Sequence, residues 1–394
     1  MIDLDQRIVV VGASIAGVTA TEELLRLGHR GPVILVDAER GASYARPPLS
    51  KAVLSGADAP ESTLLPALDP SRVQYMRGDA AVGLDVDVRV VRLASGLTVA
   101  YDGLVIATGS RARTLADVGR NSTGIEERVV RTLADARQLR AELQNAASIV
   151  IVGAGVLGME IASVSASLGL HTTVATDEAP LLSHCGSFVS ELVTRQAEAH
   201  GVAIRIDPKG AQLRDNAGHL AVQINDTLLH ADIVVTAVGD IPNVEWLHST
   251  PLRCRSGVVV DSRCRISDRI VAAGDVAAFG VPARRNPHWS NAIDQARVAA
   301  AALLMGDGAN AHVPRPYFWT DQFGLALKMG GHTPFCGDPQ VVDGSLAQLD
   351  ALMQWNHGGC PNGALAINRR IPISRLHRIA GNPQPSNVFS GAPQ

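Results

Sequence analysis

One pattern occurs twice in this sequence and constrains the fold more than any other feature. A strand, a glycine-rich turn, a helix and a second strand follow one another in residues 7–37 and again in residues 148–178. In both copies the strands are short apolar runs, and the helix has apolar residues at helical spacing. Turns of this kind let a dinucleotide pyrophosphate approach the N-terminus of the helix. Two copies therefore predict an α/β protein that binds two dinucleotides, or one dinucleotide twice.

The two turns differ at one position. The small residues of the first turn are Gly12, Ser14 and Gly17, and those of the second are Gly153, Gly155 and Gly158. A serine at the second position narrows the approach of the backbone to a phosphate. Asp37 ends the second strand of the first copy, where an acidic residue binds the hydroxyls of a ribose.

Two further apolar segments, 101–110 and 268–277, lead to candidate cofactor residues. These residues are Thr108 and Gly109 in the first segment, and Gly274 and Asp275 in the second. A carboxylate at the end of a buried strand can bind the hydroxylated chain of a flavin dinucleotide. The alternative is that Asp275 caps a following helix.

Composition excludes several classes of protein. The formal net charge of −3 over 394 residues argues against general nucleic-acid binding. No apolar run approaches the roughly 20 residues that a membrane span needs, and we expect no signal peptide, because the chain leads directly into a strand. The five cysteines form no CxxC pair and no zinc spacing. We therefore expect free thiols, no metal site and a cytoplasmic protein.

Taken together, the motifs resemble those of the FAD-dependent, two-dinucleotide oxidoreductases. More closely, they resemble the ferredoxin reductases of the putidaredoxin reductase type, which serve Rieske oxygenases and bacterial cytochromes P450. The stretches that carry the resemblance follow the family order: VVGASIAG, YARPPLSK, IATGSRAR, IVGAGVLGMEIA, AVGDIPNVEWL, AAGDVA, HWSNAIDQARVAA and PYFWTDQFG.

The resemblance implies two Rossmann-like domains, for FAD and for NAD, and a C-terminal α/β domain. The FAD domain is expected at 1–109 and 240–314, with the NAD(P)H domain at 110–239 and the C-terminal domain at 315–394. Prolines within 309–316 agree with the last boundary. The final stretch, GNPQPSNVFSGAPQ, is rich in proline and serine, and we expect it to be disordered.

The resemblance also implies a role for each matching residue. Those expected to contact FAD are Gly12, Ser14, Gly17 and Arg46 at the pyrophosphate, Asp37 or Glu39 at the adenosine ribose, Asp275 at the ribityl chain, Thr108, Gly109 and Gly274 at the strand ends, and Trp289 and Trp319 near the isoalloxazine ring. Those expected to contact the nicotinamide dinucleotide are Gly153, Gly155 and Gly158, with Gly239 at the border of the same cleft.

Lys51 and Glu160 are the residues to which the resemblance assigns a catalytic role. They match a lysine beside the flavin N5 and the glutamate that pairs with it. A cation near N5 stabilises negative charge on the reduced flavin, and the pair keeps both charges satisfied away from water. The alternative is that both residues are ordinary surface charges.

The segment 43–56 indicates where the electrons go. It contains Lys51 but no cysteine, whereas disulfide reductases carry a cysteine pair in the corresponding segment. Electrons must therefore leave the flavin directly, and a one-electron iron–sulfur protein fits that need. The chain has no cluster spacing of its own, which predicts a separate, small acidic ferredoxin of the [2Fe–2S] type. The alternatives are a flavoprotein NAD(P)H oxidase or small-molecule reductase, and a binding flavoprotein similar to apoptosis-inducing factor.

The predicted donor is NADH, with NADPH as the alternative. The position that normally carries a ribose-binding glutamate is Thr176, followed by Asp177 and Glu178. No arginine lies nearby to bind a 2′-phosphate. The loop 181–188 also lacks the basic residue usual in this family, and Asp240 adds negative charge near the cleft.

Arginines near the C-terminus offer a candidate docking surface for an acidic partner. From residue 351 onward the sequence has no Asp or Glu, but it contains Arg369, Arg370, Arg375, His377 and Arg378. Arg284 and Arg285 add to the positive charge. Such a face would steer an acidic ferredoxin. The alternative is an amphipathic helix with solvated arginines. The sequence leaves open whether the protein is a monomer or a homodimer.

Overall fold

The computed structural model describes residues 2–254 and 256–381 of the chain. The tail for which the sequence predicts disorder lies, from residue 382 onward, outside these residues. The chain divides into two compact units. The first takes the described residues of Met1–Gly119, Glu126–Asn145 and Thr236–Pro314, and the second takes those of Arg120–Ile125, Ala146–Val235 and Arg315–Gln394. The predicted division into three domains groups the residues differently and stays a prediction.

The first unit is built on a parallel sheet of five strands. In spatial order these are Ile270–Ala272, Gly103–Ile106, Ile8–Val11, Val33–Asp37 and Val73–Arg77. Every neighbouring pair is parallel. The first three strands are buried along their whole length, as expected of a parallel sheet that is covered on both faces.

Different elements pack against the two faces of this sheet. The helices Ile15–Arg26 and Trp289–Met305 pack on one face, and small side chains such as Ala20 and Ala296 let them approach closely. The other face packs against an antiparallel sheet. The strands of that sheet are Ala81–Asp85, Val90–Leu93 and Thr98–Ala100.

The remaining elements of the first unit are short. Two further helices are Ala52–Ser55 and Leu133–Leu143. A two-stranded antiparallel sheet is formed by Ser110–Ala112 and Asp240–Pro242. A four-stranded mixed sheet contains Arg253–Cys254, Gly257–Val259, Ala277–Phe279 and Arg284–Arg285.

The second unit repeats the same plan in smaller form. Its four-stranded sheet has the order Ala203–Ile206, His171–Thr176, Ser148–Val152 and Ile233–Thr236. The first three strands are parallel to one another. The helices between them are Val156–Ser167, Leu182–Cys185 and Ser187–Ala199. An antiparallel sheet is formed by Gln212–Asn216, His219–Ile224 and Thr227–Leu229.

The C-terminal part of the second unit is a five-stranded antiparallel sheet. Its strands, in spatial order, are Tyr317–Gln322, Leu325–Gly331, Cys360–Ile367, Asp350–His357 and Gln340–Ser345. The buried Trp355 anchors it, with its ring stacked on Phe335 at a centroid distance of 4.3 Å. Short 3₁₀ helices occupy Pro60–Thr63, Ala116–Val118, Glu245–Leu247, Gly306–Gly308 and Leu346–Gln348 in the two units.

A single amphipathic helix does not run through the arginine-rich segment near the C-terminus. The helix spans only Ile373–Ile379, and Arg369 and Arg370 lie in the loop before it. The reason is Pro372, because a proline disfavours helical conformation in the residue before it. No helix in the described ranges combines the length and apolar composition needed to cross a membrane.

Candidate cofactor-binding sites

The first glycine-rich turn has no space for side chains at two of its three positions. Gly12 follows the strand Ile8–Val11 with a φ of 103°. A Cβ at Gly12 would lie 2.2 Å from the carbonyl oxygen of Ala107, and one at Gly17 would lie 1.8 Å from that of Gly12. The chain can therefore enter the helix this tightly only with glycine at both positions.

The serine in the first turn is accommodated without strain. Ser14 immediately precedes its helix with φ −82° and ψ −168°. Gly155 holds the same place in the second turn with φ −70° and ψ −177°. Both values are extended backbone that any residue adopts. The departure from a three-glycine pattern therefore changes the side chain at this turn and leaves its backbone conformation unchanged.

Asp37 and Glu39, which the sequence could not separate, have different surroundings. Glu39 is held on both oxygens, since Arg46 Nη2 donates to Oε1 over 2.7 Å and the Tyr44 hydroxyl donates to Oε2 over 2.6 Å. Asp37 accepts a longer bond of 3.2 Å from the Tyr75 hydroxyl and a backbone hydrogen bond at Glu39. Burial is the main reason that the pKa of Asp37 is raised. Of the two carboxylates, Asp37 is therefore the better placed to accept hydrogen bonds from the hydroxyls of a ribose.

Asp275 lies in a turn after the strand Ile270–Ala272 and is surrounded by donors. Arg131 Nη2 lies 2.9 Å from its Oδ2, and the Ser110 hydroxyl lies 3.4 Å from the same oxygen. The alternative that Asp275 caps a helix is wrong, because the chain continues into the strand Ala277–Phe279. The preceding Gly274 is held by the buried Gln295, whose Oε1 accepts its backbone N–H over 2.8 Å.

Sequence reasoning missed Arg131, the residue that pairs with Asp275. A signal for its position was present, because Thr132 begins a capping box with Asp135 and so marks the start of the helix Leu133–Leu143. Arg131 therefore precedes a helix start at a defined place. Its partner lies 144 residues later in the chain and could not be read from the local pattern.

Arg285 belongs to an internal ion pair. Its Nη1 lies 2.5 Å from Asp240 Oδ2 and 2.9 Å from the carbonyl oxygen of Asp275. Burial alone would raise the pKa of Asp240, but the hydrogen bond and charge of Arg285 outweigh this effect and lower it. The charge of Arg285, which the sequence analysis counted toward a basic surface, is therefore largely neutralised. Arg284 is exposed.

Thr108 and Gly109 connect two segments of the first unit. The Thr108 hydroxyl donates to the carbonyl oxygen of Asn243 over 2.8 Å, and Asn243 Nδ2 donates back to the carbonyl oxygen of Thr108 over 2.9 Å. The N–H of Asn243 also donates to the carbonyl oxygen of Gly109 over 3.0 Å. The neighbouring Gly239 accepts from the N–H of Arg113 over 2.9 Å. The cofactor contacts expected of these residues stay predictions.

The second turn resembles the first in backbone geometry. Gly153 has a φ of 107°, close to that of Gly12, and its N–H donates to the carbonyl oxygen of Ala175 over 2.8 Å. Gly158 is buried in the helix Val156–Ser167. A Cβ at Gly155 would lie 3.7 Å from Cε1 of His184. The imidazole of His184, from the loop 181–188, therefore stands beside the second turn.

The three candidate residues at the end of the strand His171–Thr176 have different surroundings. Thr176 is 3% exposed, and its hydroxyl donates to the carbonyl oxygen of Glu178 over 3.0 Å. Glu178 Oε1 accepts the N–H of Ser183 over 3.2 Å. Asp177 is exposed. The buried threonine hydroxyl is thus satisfied internally, and Asp177 is the acidic residue best placed to reach a ribose.

Glu160 and Lys51 lie in different units, and the pair predicted between them stays a prediction. Glu160 is 3% exposed, so the alternative that it is a surface charge is wrong. Its Oε1 accepts the hydroxyl of Thr320 over 2.6 Å. Lys51 is half-buried at the start of the helix Ala52–Ser55, and its Nζ lies 3.3 Å from the carbonyl oxygen of Pro47.

The two tryptophans expected near a flavin ring are both half-buried. Trp289 is the first residue of the helix Trp289–Met305 in the first unit. Trp319, in the second unit, stacks on Tyr317 at a centroid distance of 5.8 Å. Their contact with a flavin ring stays a prediction.

The described cysteines are free thiols: Cys185, Cys264, Cys336 and Cys360. Burial raises the pKa of Cys185 to about 12, so its sulfur stays protonated at neutral pH. Within the described ranges, no three side chains of His, Cys, Asp or Glu are grouped as metal ligands.

The turn and the two aspartates of the first unit are compatible with a bound flavin dinucleotide. Its turn is packed so tightly that no Cβ fits at Gly12 or Gly17, and it leads into the N-terminus of the helix Ile15–Arg26, where a pyrophosphate can bind. Asp37 ends one strand of the parallel sheet and Asp275 follows another, and the carboxyl ends of such strands form the usual ligand-binding edge.

Comparisons with known proteins agree with this arrangement. The model of the family described as pyridine nucleotide-disulphide oxidoreductase matches residues 6–296. Rhodocoxin reductase of Rhodococcus erythropolis is 34% identical over 351 residues, which cover 86% of this chain and 81% of that protein. The ferredoxin–NAD(+) reductase component of the biphenyl dioxygenase system of Paraburkholderia xenovorans is 32% identical and covers 95% of this chain and 93% of its own. The crystal structure of the covalent putidaredoxin reductase–putidaredoxin complex matches with a TM-score of 0.82 at 30% identity, over 95% of this chain and 93% of that chain.

Proposed function

Because the chain belongs to the pyridine nucleotide-disulphide oxidoreductase family, we propose that it is an NADH-dependent, FAD-containing ferredoxin reductase. Two observations together carry the proposal. Two dinucleotide turns are present, and the segment between the strand Val33–Asp37 and the helix Ala52–Ser55 has no cysteine. The family likeness confirms the predicted α/β fold class and an oxidoreductase activity. Without a dithiol beside the flavin, the acceptor must be a separate molecule.

FAD is assigned to the first unit. The tight turn at Gly12 and Gly17 would present the N-terminus of its helix to the pyrophosphate. Asp37 would accept hydrogen bonds from the adenosine ribose, and Asp275 would accept them from the ribityl chain. Arg131 lies 2.9 Å from Asp275 and holds its carboxylate in place. Bound there, FAD would supply the hydride-accepting and one-electron-donating chemistry that the reaction needs. The family likeness supports a flavin, and these residues favour the dinucleotide form.

NADH is assigned to the second unit. Gly153 and Gly155 open the turn to the pyrophosphate, and His184 lies beside that turn. Asp177 is the proposed acceptor for the ribose hydroxyls. A carboxylate at this strand end repels the 2′-phosphate of NADPH, so we expect NADH to be the better donor.

Lys51 and Glu160 are the residues proposed to act beside the flavin N5. Glu160 is buried and accepts a hydrogen bond from Thr320. Lys51 is the proposed cation, and it would stabilise negative charge at the flavin N5.

The proposed acceptor is a small acidic ferredoxin of the [2Fe–2S] type. In the second unit, a cavity of about 330 Å³ is lined by three arginines, Arg369, Arg370 and Arg375. Asp343 and Asp350 also line the cavity and bind Arg369 at 2.6 Å each, so the three arginines leave an excess of one positive charge, carried by Arg370 and Arg375. Positive charge of this kind attracts an acidic partner. The cytoplasmic location and the choice between monomer and homodimer stay predictions.

The test is steady-state turnover of the FAD-loaded protein with NADH. We expect slow NADH oxidation in air and a large increase when a [2Fe–2S] ferredoxin is added under argon, with cluster bleaching as the direct readout. The matched control is the same ferredoxin without its cluster. Fast oxidation in air that the ferredoxin does not increase would contradict the proposal and favour the oxidase alternative.

A further inference from the structure

Three polar side chains form a hydrogen-bonded chain in the interior of the second unit. Thr320 and Gln322 lie on one face of the strand Tyr317–Gln322, because alternate residues of a strand share a face. Gln322 Nε2 donates to Thr320 Oγ1 over 3.0 Å, and this hydroxyl donates to Glu160 Oε1 over 2.6 Å. Glu160 and Gln322 are each 3% exposed, and Thr320 is fully buried.

The direction of these hydrogen bonds follows from their chemistry. A carboxylate only accepts hydrogen bonds, and a hydroxyl has a single hydrogen. The hydrogen of Thr320 therefore goes to Glu160, and the lone pairs of Thr320 accept from the amide nitrogen of Gln322. The arrangement orients the amide of Gln322, and it also determines which oxygen of Glu160 is occupied by the threonine.

The orientation of Gln322 leaves one polar atom unsatisfied. Its Oε1 is buried and has no hydrogen-bond partner among the described residues. A buried acceptor without a partner is unfavourable, and an apolar side chain of similar size would avoid the penalty. The presence of an amide here, in spite of that penalty, points to a use for its nitrogen.

A second bond fixes the strand to the helix that carries Glu160. The N–H of Phe323 donates to the Ser163 hydroxyl over 2.7 Å. Ser163 lies three residues after Glu160 in the helix Val156–Ser167, and residues at this spacing share a helix face. The two bonds hold the helix and the strand in register at the level of the carboxylate.

We propose that Thr320 and Gln322 are positioning residues that hold the Glu160 carboxylate in one rotamer. Thr320 binds Oε1, and Gln322 orients the threonine hydroxyl. The remaining oxygen of Glu160 is then presented in one direction. The inference rests on the proposed function, in which Glu160 acts beside the reacting atoms.

The first experiment measures flavin reduction by NADH in stopped flow with FAD-loaded variants. T320V keeps the shape of the side chain and removes the hydroxyl, and we expect reduction at saturating NADH to slow about ten-fold with little change in the apparent Kd of NADH. T320S keeps the hydroxyl, and its rate of flavin reduction should stay within about three-fold of the wild type. T320A is close to T320S in size but lacks the hydroxyl, and it should be as slow as T320V. The control is T194V, because the Thr194 hydroxyl is also buried but has no hydrogen-bond partner among the described residues to lose.

The second experiment needs no cofactor. Urea unfolding of the apoprotein is measured for T320V, E160L and the double variant. A direct bond predicts that the midpoint shift of the double variant is smaller than the sum of the two single shifts. Additive shifts would overturn the inference. Should T320V fail to fold, T320S and T320A decide the question by the same comparison.

The outcomes separate the inference from the proposed function. If E160Q slows flavin reduction but T320V and T320A do not, Thr320 positions nothing and the proposed function stands. If T320S is as slow as T320A, the lost methyl group matters and the hydroxyl role is wrong. If E160Q reduces flavin at the wild-type rate, the role assigned to Glu160 is wrong, and the positioning inference falls with it.

Discussion

Gly12 is the residue on which the geometry of the first turn depends most. Its φ of 103° is unfavourable for any residue with a Cβ, and the carbonyl of Ala107 occupies the space that a Cβ would need. Glycine is therefore required twice over at this position, by conformation and by packing.

For Gly12→Ala we expect a loss of at least about 1–3 kcal/mol of stability from the backbone conformation, together with weaker FAD retention. Gly28→Ala is the matched control, because Gly28 also has a positive φ of 88° but a Cβ at this position would meet nothing within 4 Å. Urea unfolding and FAD fluorescence after gel filtration measure both effects. Equal losses in the two variants would mean that the close approach of Ala107 is irrelevant.

Asp275 is the second residue at which a single substitution should weaken FAD binding. In Asp275→Asn the charge that binds Arg131 is lost and one acceptor becomes a donor, so FAD should bind about ten-fold more weakly. Asp261→Asn serves as control, since Asp261 also accepts from an arginine, Arg265, at 2.9 Å but does not follow a strand of the parallel sheet. Titration of the apoproteins with FAD gives both dissociation constants. An unchanged value for Asp275→Asn would remove Asp275 from the flavin site.

At the scale of elements, the strands Asp240–Pro242 and Arg284–Arg285 are joined by the ion pair of Asp240 with Arg285. Both side chains are largely buried, with exposed fractions of 29% and 14%. Removing one partner therefore leaves the other charge largely buried and uncompensated. The effect depends on pH because the pKa of Asp240 is lowered in the folded protein.

Asp240→Asn should cost about 1.5–3 kcal/mol of stability at neutral pH. A carboxyl whose pKa is lowered on folding stabilises the protein above its unfolded pKa of about 4, and the stabilisation disappears as pH falls through the lower folded pKa. The difference in the free energy of unfolding between wild type and variant should therefore become smaller at acidic pH. Urea unfolding at neutral pH and below pH 4 checks this, with the exposed Asp58→Asn as control. A difference that does not depend on pH would argue against the ion pair.

At the scale of the whole molecule, charge is distributed unevenly although the formal net charge is only −3. The cavity of the second unit is lined by Arg370 and Arg375, both of which are exposed. An acidic partner would sense this local charge more strongly than the net charge, because fields act over about one Debye length.

Reversing both charges, Arg370→Glu with Arg375→Glu, should lower kcat/KM for the ferredoxin about ten-fold at low salt and leave NADH-dependent flavin reduction unchanged. High salt should reduce the difference. A single reversal at Arg195, an exposed arginine on the helix Ser187–Ala199, is the control for a change in overall charge. An equal effect of Arg195→Glu would mean that the cavity is not the docking surface.

Local sequence patterns determine much of the nucleotide-binding framework. Asp37 ends the strand Val33–Asp37, as predicted, and the first glycine-rich turn leads into the predicted helix, Ile15–Arg26. Such elements can be predicted because the hydrophobic period and the need for glycine are properties of neighbouring residues. The family likeness confirms the oxidoreductase class on the same residues.

Contacts between residues far apart in the chain required the tertiary structure. The sequence could not separate Asp37 from Glu39, because the difference lies in the Arg46 and Tyr44 side chains that occupy Glu39. It missed Arg131 as the partner of Asp275, and it treated Arg285 as a surface charge. The Glu160, Thr320 and Gln322 chain joins a helix to a strand more than a hundred residues later. Hydrogen bonds of buried side chains are decided by three-dimensional packing, and no local period in the sequence encodes their partners.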